Sequence, residues 1–103
     1  MGNQESNEQI FGDNQPYTLI DVREKSEWDM GHCDSAILIP SGQIREKIES
    51  IVPNKTSKVL LYCRAGGRAA RCANILFNMG YTNVHNLGGF PNAKRLVEQY
   101  PSP

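Results

Sequence analysis

The sequence holds no apolar stretch of the roughly 20 residues that a membrane span requires. No leader-peptide pattern stands at its start, so a periplasmic location is expected if a leader has been removed and a cytoplasmic one otherwise. Cysteine is scarce and odd in number. Cys33, Cys63 and Cys72 exclude a complete disulfide framework. They form no CxxC pair and match no zinc-site spacing, so no metal role is expected. Basic runs interleaved with aromatics are also missing. With a pI near 6.7, this argues against a nucleic-acid binder. The most informative absence is that of acids. Up to Glu49 there are ten acids against four bases, whereas Ser50 to Val97 carries seven bases and no acid. Three of those seven, Arg64, Arg68 and Arg71, crowd around one cysteine. Such a local cluster suits a small anionic ligand.

What is present suits one domain. The chain has 103 residues, 39% of them hydrophobic, enough for one modest core. Residues 1–15 are polar without a hydrophobic period and read as a flexible arm ahead of a single domain over 16–103. The opening Met-Gly-Asn-Gln-Glu-Ser fits a myristoylation pattern, but reads better as a remnant of cloning or processing. Tyr17 to Val22 is a β-rich run, and Glu24 to His32 suits a short helix closed by Gly31. Ser35 to Pro40 reads as another strand. Ile44, Ile48 and Ile51 share one helix face, with Ser41 as its cap and Pro53 as its stop. "SKVLLYC", Ser57 to Cys63, is almost wholly apolar, as strands buried on both faces are. Ala69 to Met79 follows as a helix with Ala69, Ala73, Leu76 and Phe77 on one side and Gly80 beyond its end. "NVHNL" gives a fourth strand, and Pro91 opens a last helix. Strict alternation of strand and helix predicts a parallel sheet with right-handed crossovers.

In such sheets ligands bind beyond the carboxyl ends of the strands. Cys63 stands at that end of the most apolar strand, before a tight turn and a helix start. A free thiol has a pKa of about 8.5, and the thiolate is the nucleophile. Gly66 and Gly67 let backbone amides converge as an anion nest. The helix N-terminus and Arg64, Arg68 and Arg71 add positive potential. A depressed pKa for Cys63 is therefore expected. No histidine in the loop offers an adjacent base, so the loop itself must activate the sulfur. The bland alternative is an inert cysteine beside a glycine-rich turn.

Three segments carry a resemblance. "LIDVREKSEWDMGHCDSAILIP", "VLLYCRAGGRAA" and "NMGYTNVHNLGGF" resemble the rhodanese family in order and spacing. The opening segment matches the family's signature through Asp21, Val22, Arg23, Glu27, Trp28, Gly31, His32, Ala36 and Pro40. The middle segment resembles its sulfur-carrying loop. The closing segment resembles its Asn-x-Gly-Gly stretch, through Asn86, Gly88 and Gly89. The chain is most similar to the small, single-domain phage-shock protein E type, whose members are periplasmic thiosulfate sulfurtransferases. The resemblance implies an α/β fold in three layers, α/β/α, with a four-stranded parallel sheet and a fifth strand left open. It implies sulfur transfer through a Cys63 persulfide, with Arg64, Ala65, Gly66, Gly67 and Arg68 binding a small anionic donor such as thiosulfate. The acceptor is a thiol or cyanide. No cofactor, metal, nucleic acid or membrane is implied, and a monomer is expected. Cys33, Ser35 and Ala93 depart from the family pattern without touching the nucleophile.

Three other functions remain open. Cysteine phosphatases and arsenate reductases of related architecture use C-x5-R, whereas Cys63 to Arg68 is C-x4-R. Non-catalytic rhodanese-like modules generally lack the cysteine. A redox role would pair Cys63 with Cys33 or Cys72, but Cys72 reads as a small core residue. Asp21 reads as a loop-ordering residue, Arg23 and Glu27 as a structural pair, and His32 as a fixed hydrogen-bond former. His85 reads as inert and Trp28 as a packing residue.

Overall fold

The computed structural model describes residues 6–103. The apolar runs form a parallel sheet of four strands among the described residues: β1 (Tyr17–Asp21), β2 (Ile37–Leu38), β3 (Lys58–Cys63) and β4 (Val84–Gly89). Their spatial order is β2-β1-β3-β4. β3 lies inside the sheet and is buried at all six positions, which explains its unbroken hydrophobicity. β2 is an edge strand of two residues, shorter than the run Ser35 to Pro40 suggests, and Ile37 is exposed there.

Helices cover both faces. On one side α3 (Ile44–Ile51) and α4 (Gly67–Asn78) bury Ile44, Ile48, Ala69, Cys72 and Leu76 against Ile20, Val59 and Leu61. On the other, α1 (Asn7–Phe11) and α5 (Phe90–Gln99) bury Ile10, Phe11, Ala93 and Leu96 against Leu19, Leu60, Tyr62 and Leu87. The short α2 (Lys25–Asp29) follows β1 at the carboxyl end of the sheet.

Several expectations need correcting. Residues 7–11 belong to no loose arm: Ser6 caps α1, and Ile10 and Phe11 are buried in the core on that face. Lys58 fastens this helix by donating to the Ile10 carbonyl and to Asp13, each at 2.5 Å. The myristoylation pattern falls mostly on residues 1–5, outside the described residues. Ser41 does not cap α3; it opens a single 3-10 turn, Ser41–Gln43, that leads into the helix. Phe77 is half-exposed, and Cys72 takes its place on the buried face of α4. Cys72 is thus the small core residue its apolar neighbours imply.

Candidate active site

β3 ends at Cys63, the loop Arg64–Gly66 turns, and α4 starts at Gly67. Gly66 takes φ +100°, a conformation that side chains resist, and this turns its amide back onto the cysteine. The Gly66 N–H donates to Cys63 Sγ at 3.0 Å. Cys63 is 1% exposed, and that burial pushes the thiol up. The amides of Ala69, Ala65, Gly66 and Arg68 pull it down and together prevail, so its pKa is lowered. The cradle therefore stabilises the thiolate chiefly through backbone dipoles at a helix start.

The end of β4 holds the loop from beside. Asn86 donates through Nδ2 to the Gly66 carbonyl at 3.0 Å, and its Oδ1 accepts the Gly88 amide at 2.8 Å. The β3–β4 register slips between Leu61 and Cys63, a bulge that brings Gly89 opposite Cys63. There is no room for a side chain at Gly89: a Cβ would lie 2.5 Å from the Arg64 carbonyl oxygen. The sequence motif Asn86, Gly88, Gly89 is legible, but its mechanical purpose emerges only from this packing.

Above the loop, Asp21 is fully buried and clasps Arg23. Its carboxylate accepts from the Arg23 backbone at 2.9 Å and from the guanidinium at 2.8–3.1 Å. Arg23 Nη2 also donates to the Gly31 carbonyl at 2.7 Å, tying β1 to the turn after α2. Its guanidinium lies 4.6 Å from the centre of the Phe90 ring. Asp21 is thus the loop-ordering residue expected, but Arg23 does not pair with Glu27. It precedes α2, so the i,i+4 spacing never forms on one helix face.

Glu27 instead takes Arg68 in a two-pronged pair, with Nη1–Oε1 at 2.7 Å and Nη2–Oε2 at 2.9 Å. Glu27 Oε1 also accepts the Glu24 amide at 2.9 Å. Arg68 first, and then the Glu24 amide, hold the Glu27 carboxyl at about 2. In return Glu27 pushes Arg68 further up. Arg64 has no ion pair among the described residues and lines an open cleft of about 570 Å³ with Arg23, Glu27, Met30, Gly31, Phe90 and Pro91. Arg71 is exposed on α4, clear of these contacts.

His32 makes the fixed bond expected of it, between Nδ1 and the Trp28 carbonyl at 3.0 Å, and its ring stacks on Trp28. His85 lies in β4 beside Asn83. All three cysteines are free and buried. Burial raises the Cys33 and Cys72 thiols, in contrast to Cys63. No group of His, Cys, Asp or Glu suited to a metal occurs among the described residues. No described helix is long and apolar enough to cross a membrane.

A parallel α/β domain with a cysteine cradled by amides between a strand end and a helix start is the arrangement that the rhodanese resemblance implies. The family model of the rhodanese-like domain matches residues 3–95, and the chain belongs to that family. It is 41% identical to the thiosulfate sulfurtransferase PspE of Escherichia coli over 70 residues, covering 68% of this chain and 67% of that protein. A solved rhodanese with anions from E. coli superposes with a TM-score of 0.72 at 38% identity, over 74% of this chain and 89% of that one. The chain is also 30% identical to a tRNA uridine(34) hydroxylase of Photorhabdus laumondii, but the match spans only 23% of that longer protein. Membership of the rhodanese family supports sulfurtransferase activity.

Proposed function

We propose that this protein is a thiosulfate sulfurtransferase whose sulfur carrier is Cys63. The observation that carries the reading is the cradle: Gly66 N–H 3.0 Å from Sγ, with three more amides lowering the thiol pKa. The Cys63 thiolate attacks the outer sulfur of thiosulfate. A new S–S bond forms, the sulfur–sulfur bond of the donor breaks, and sulfite leaves with the electron pair. The persulfide anion on Cys63 is then held by the same amides that held the thiolate. A thiol or cyanide attacks the outer sulfur and restores the thiolate, so no net oxidation occurs and no cofactor takes part. Arg64, without an ion pair among the described residues, attracts the anionic donor at the cleft, and Ala65, Gly66, Arg68 and Ala69 supply the amides. The near-complete burial of Cys63 suits a slim terminal sulfur better than a phosphoryl group, and the loop is one residue shorter than C-x5-R.

The test is steady-state transfer from thiosulfate to cyanide, with aryl phosphate as a parallel substrate. Thiocyanate formation with ping-pong kinetics and no phosphate release is expected. Phosphate release without thiocyanate would replace this reading with the phosphatase one.

A further inference from the structure

We propose that Glu27 sets the anion affinity of the Cys63 site by occupying the guanidinium of Arg68. The inference deepens the sulfurtransferase reading and rests on it for its meaning in turnover. Three arginines border the loop and cleft, but two already face carboxylates. Asp21 neutralises Arg23, and Glu27 neutralises Arg68. Arg64 remains as the cation without an ion pair among the described residues. The Arg68 amide belongs to the cradle, while its guanidinium is bonded to Glu27 on α2. Glu27 is itself fixed, since the same oxygen that meets Arg68 also accepts the Glu24 amide. It stays ionised throughout the neutral range, because its carboxyl titrates at about 2.

The chemistry gives this arrangement a purpose. Donor and first product, thiosulfate and sulfite, are both anions. A site with several free guanidinium groups would hold both tightly and release sulfite slowly. Binding donor and transition state equally well adds nothing to kcat. Glu27 keeps the ground-state attraction to what Arg64 and the amides supply. It touches no reacting atom and is a positioning and specificity residue.

The experiment measures alkylation of Cys63 by iodoacetate, an anion, and by iodoacetamide, its neutral analogue. Rates are read on the Cys63 peptide by mass spectrometry at fixed pH and low salt. Both reagents need the same thiolate, so their rate ratio reports the local potential and cancels any change in pKa. Glu27→Gln frees Arg68 and should raise the iodoacetate/iodoacetamide ratio about fivefold, the size of one partly exposed charge contact. Molar salt should abolish the gain. Glu27→Asp keeps the charge and should stay near the wild-type ratio. Arg68→Gln leaves Glu27 unpaired and should lower the ratio by a similar factor. It serves as the independent arm should Glu27→Gln not fold. In turnover, Glu27→Gln should lower the thiosulfate KM while kcat stays level or falls. Ratios unchanged in both folded variants overturn the inference, whatever the substrate. Shifted ratios in a protein whose wild type forms no persulfide would keep the electrostatic role of Glu27 and reject the sulfurtransferase reading instead.

Discussion

Gly66 and Gly67 are neighbours in the loop, yet the structure assigns them opposite responses to the same methyl group. Gly66 has φ +100°, and a Cβ there would meet the Gly88 Cα at 3.4 Å. An alanine in the left-handed region costs about 1–2 kcal/mol, before Gly88 is pushed. Relaxation of that strain turns the Gly66 amide away from Sγ, which it now meets at 3.0 Å. A hydrogen bond to a charged group is worth about 1.5–3 kcal/mol, and one pKa unit corresponds to about 1.4 kcal/mol. Gly66→Ala should therefore raise the Cys63 pKa by about 1–2 units and lose about 1–2 kcal/mol of stability. Gly67 opens α4 without a positive φ, and nothing lies within 4 Å of its added Cβ. Gly67→Ala should leave the thiol pKa in place and stabilise the fold by about 0.4–1 kcal/mol through a stiffer unfolded chain. The assay is the pH dependence of iodoacetamide labelling at the Cys63 peptide, with thermal unfolding alongside. Equal midpoints for wild type and Gly66→Ala would show that the backbone cradle does not control the sulfur.

Four further outcomes follow from the same geometry. Cys63→Ser should abolish sulfur transfer, while Cys33→Ser and Cys72→Ala should retain most of it, as assayed by thiocyanate release; loss in Cys72→Ala with folding intact would revive a cysteine pair. Arg64→Ala should raise the thiosulfate KM more than it lowers kcat, with kcat/KM falling about tenfold or more, since a charge-assisted contact is lost from ground-state binding. Asn86→Ala removes the clamp between Gly66 and Gly88 and should raise the Cys63 labelling midpoint while barely moving the labelling of the other thiols. In acid, the depressed Glu27 pKa means that its pairing stabilises the fold fully above the ordinary 4.5 and loses this as pH falls towards about 2. Glu27→Gln should accordingly flatten part of the stability–pH curve in that window, read by chemical denaturation.

Much of this architecture is written in short-range patterns. The apolar run of β3, the isoleucines of α3 and the glycine pair after Cys63 each announce themselves, because burial and turn geometry restrict residue type at fixed spacing. The loop's thiol and its amides are legible for the same reason. Other features depend on partners far along the chain. α1 hides because its burial rests on two apolar residues, Ile10 and Phe11, in a polar setting too short to show a period. Arg23 and Glu27 invite pairing at i,i+4, but helix α2 starts only at Lys25, so Arg23 turns back to Asp21. Glu27 then finds Arg68, 41 residues away. Nothing local in the sequence tells Arg68, held by a carboxylate, from Arg64, which has no ion pair among the described residues. On α4, the expected stripe of Ala69, Ala73, Leu76 and Phe77 is rotated slightly from the buried one, which keeps Ala69 and Leu76 and adds Cys72. Cys72 reads as core in the sequence, and it is fully buried.

The central claim is that Cys63 carries the transferred sulfur. Intact-mass and peptide mass spectrometry of the protein, after brief exposure to thiosulfate and removal of excess donor, tests it most directly. The account predicts one added sulfur, located on the Cys63 peptide, lost on adding cyanide and absent in Cys63→Ser. An unmodified Cys63 peptide, or sulfur carried on Cys33 or Cys72 instead, would contradict it.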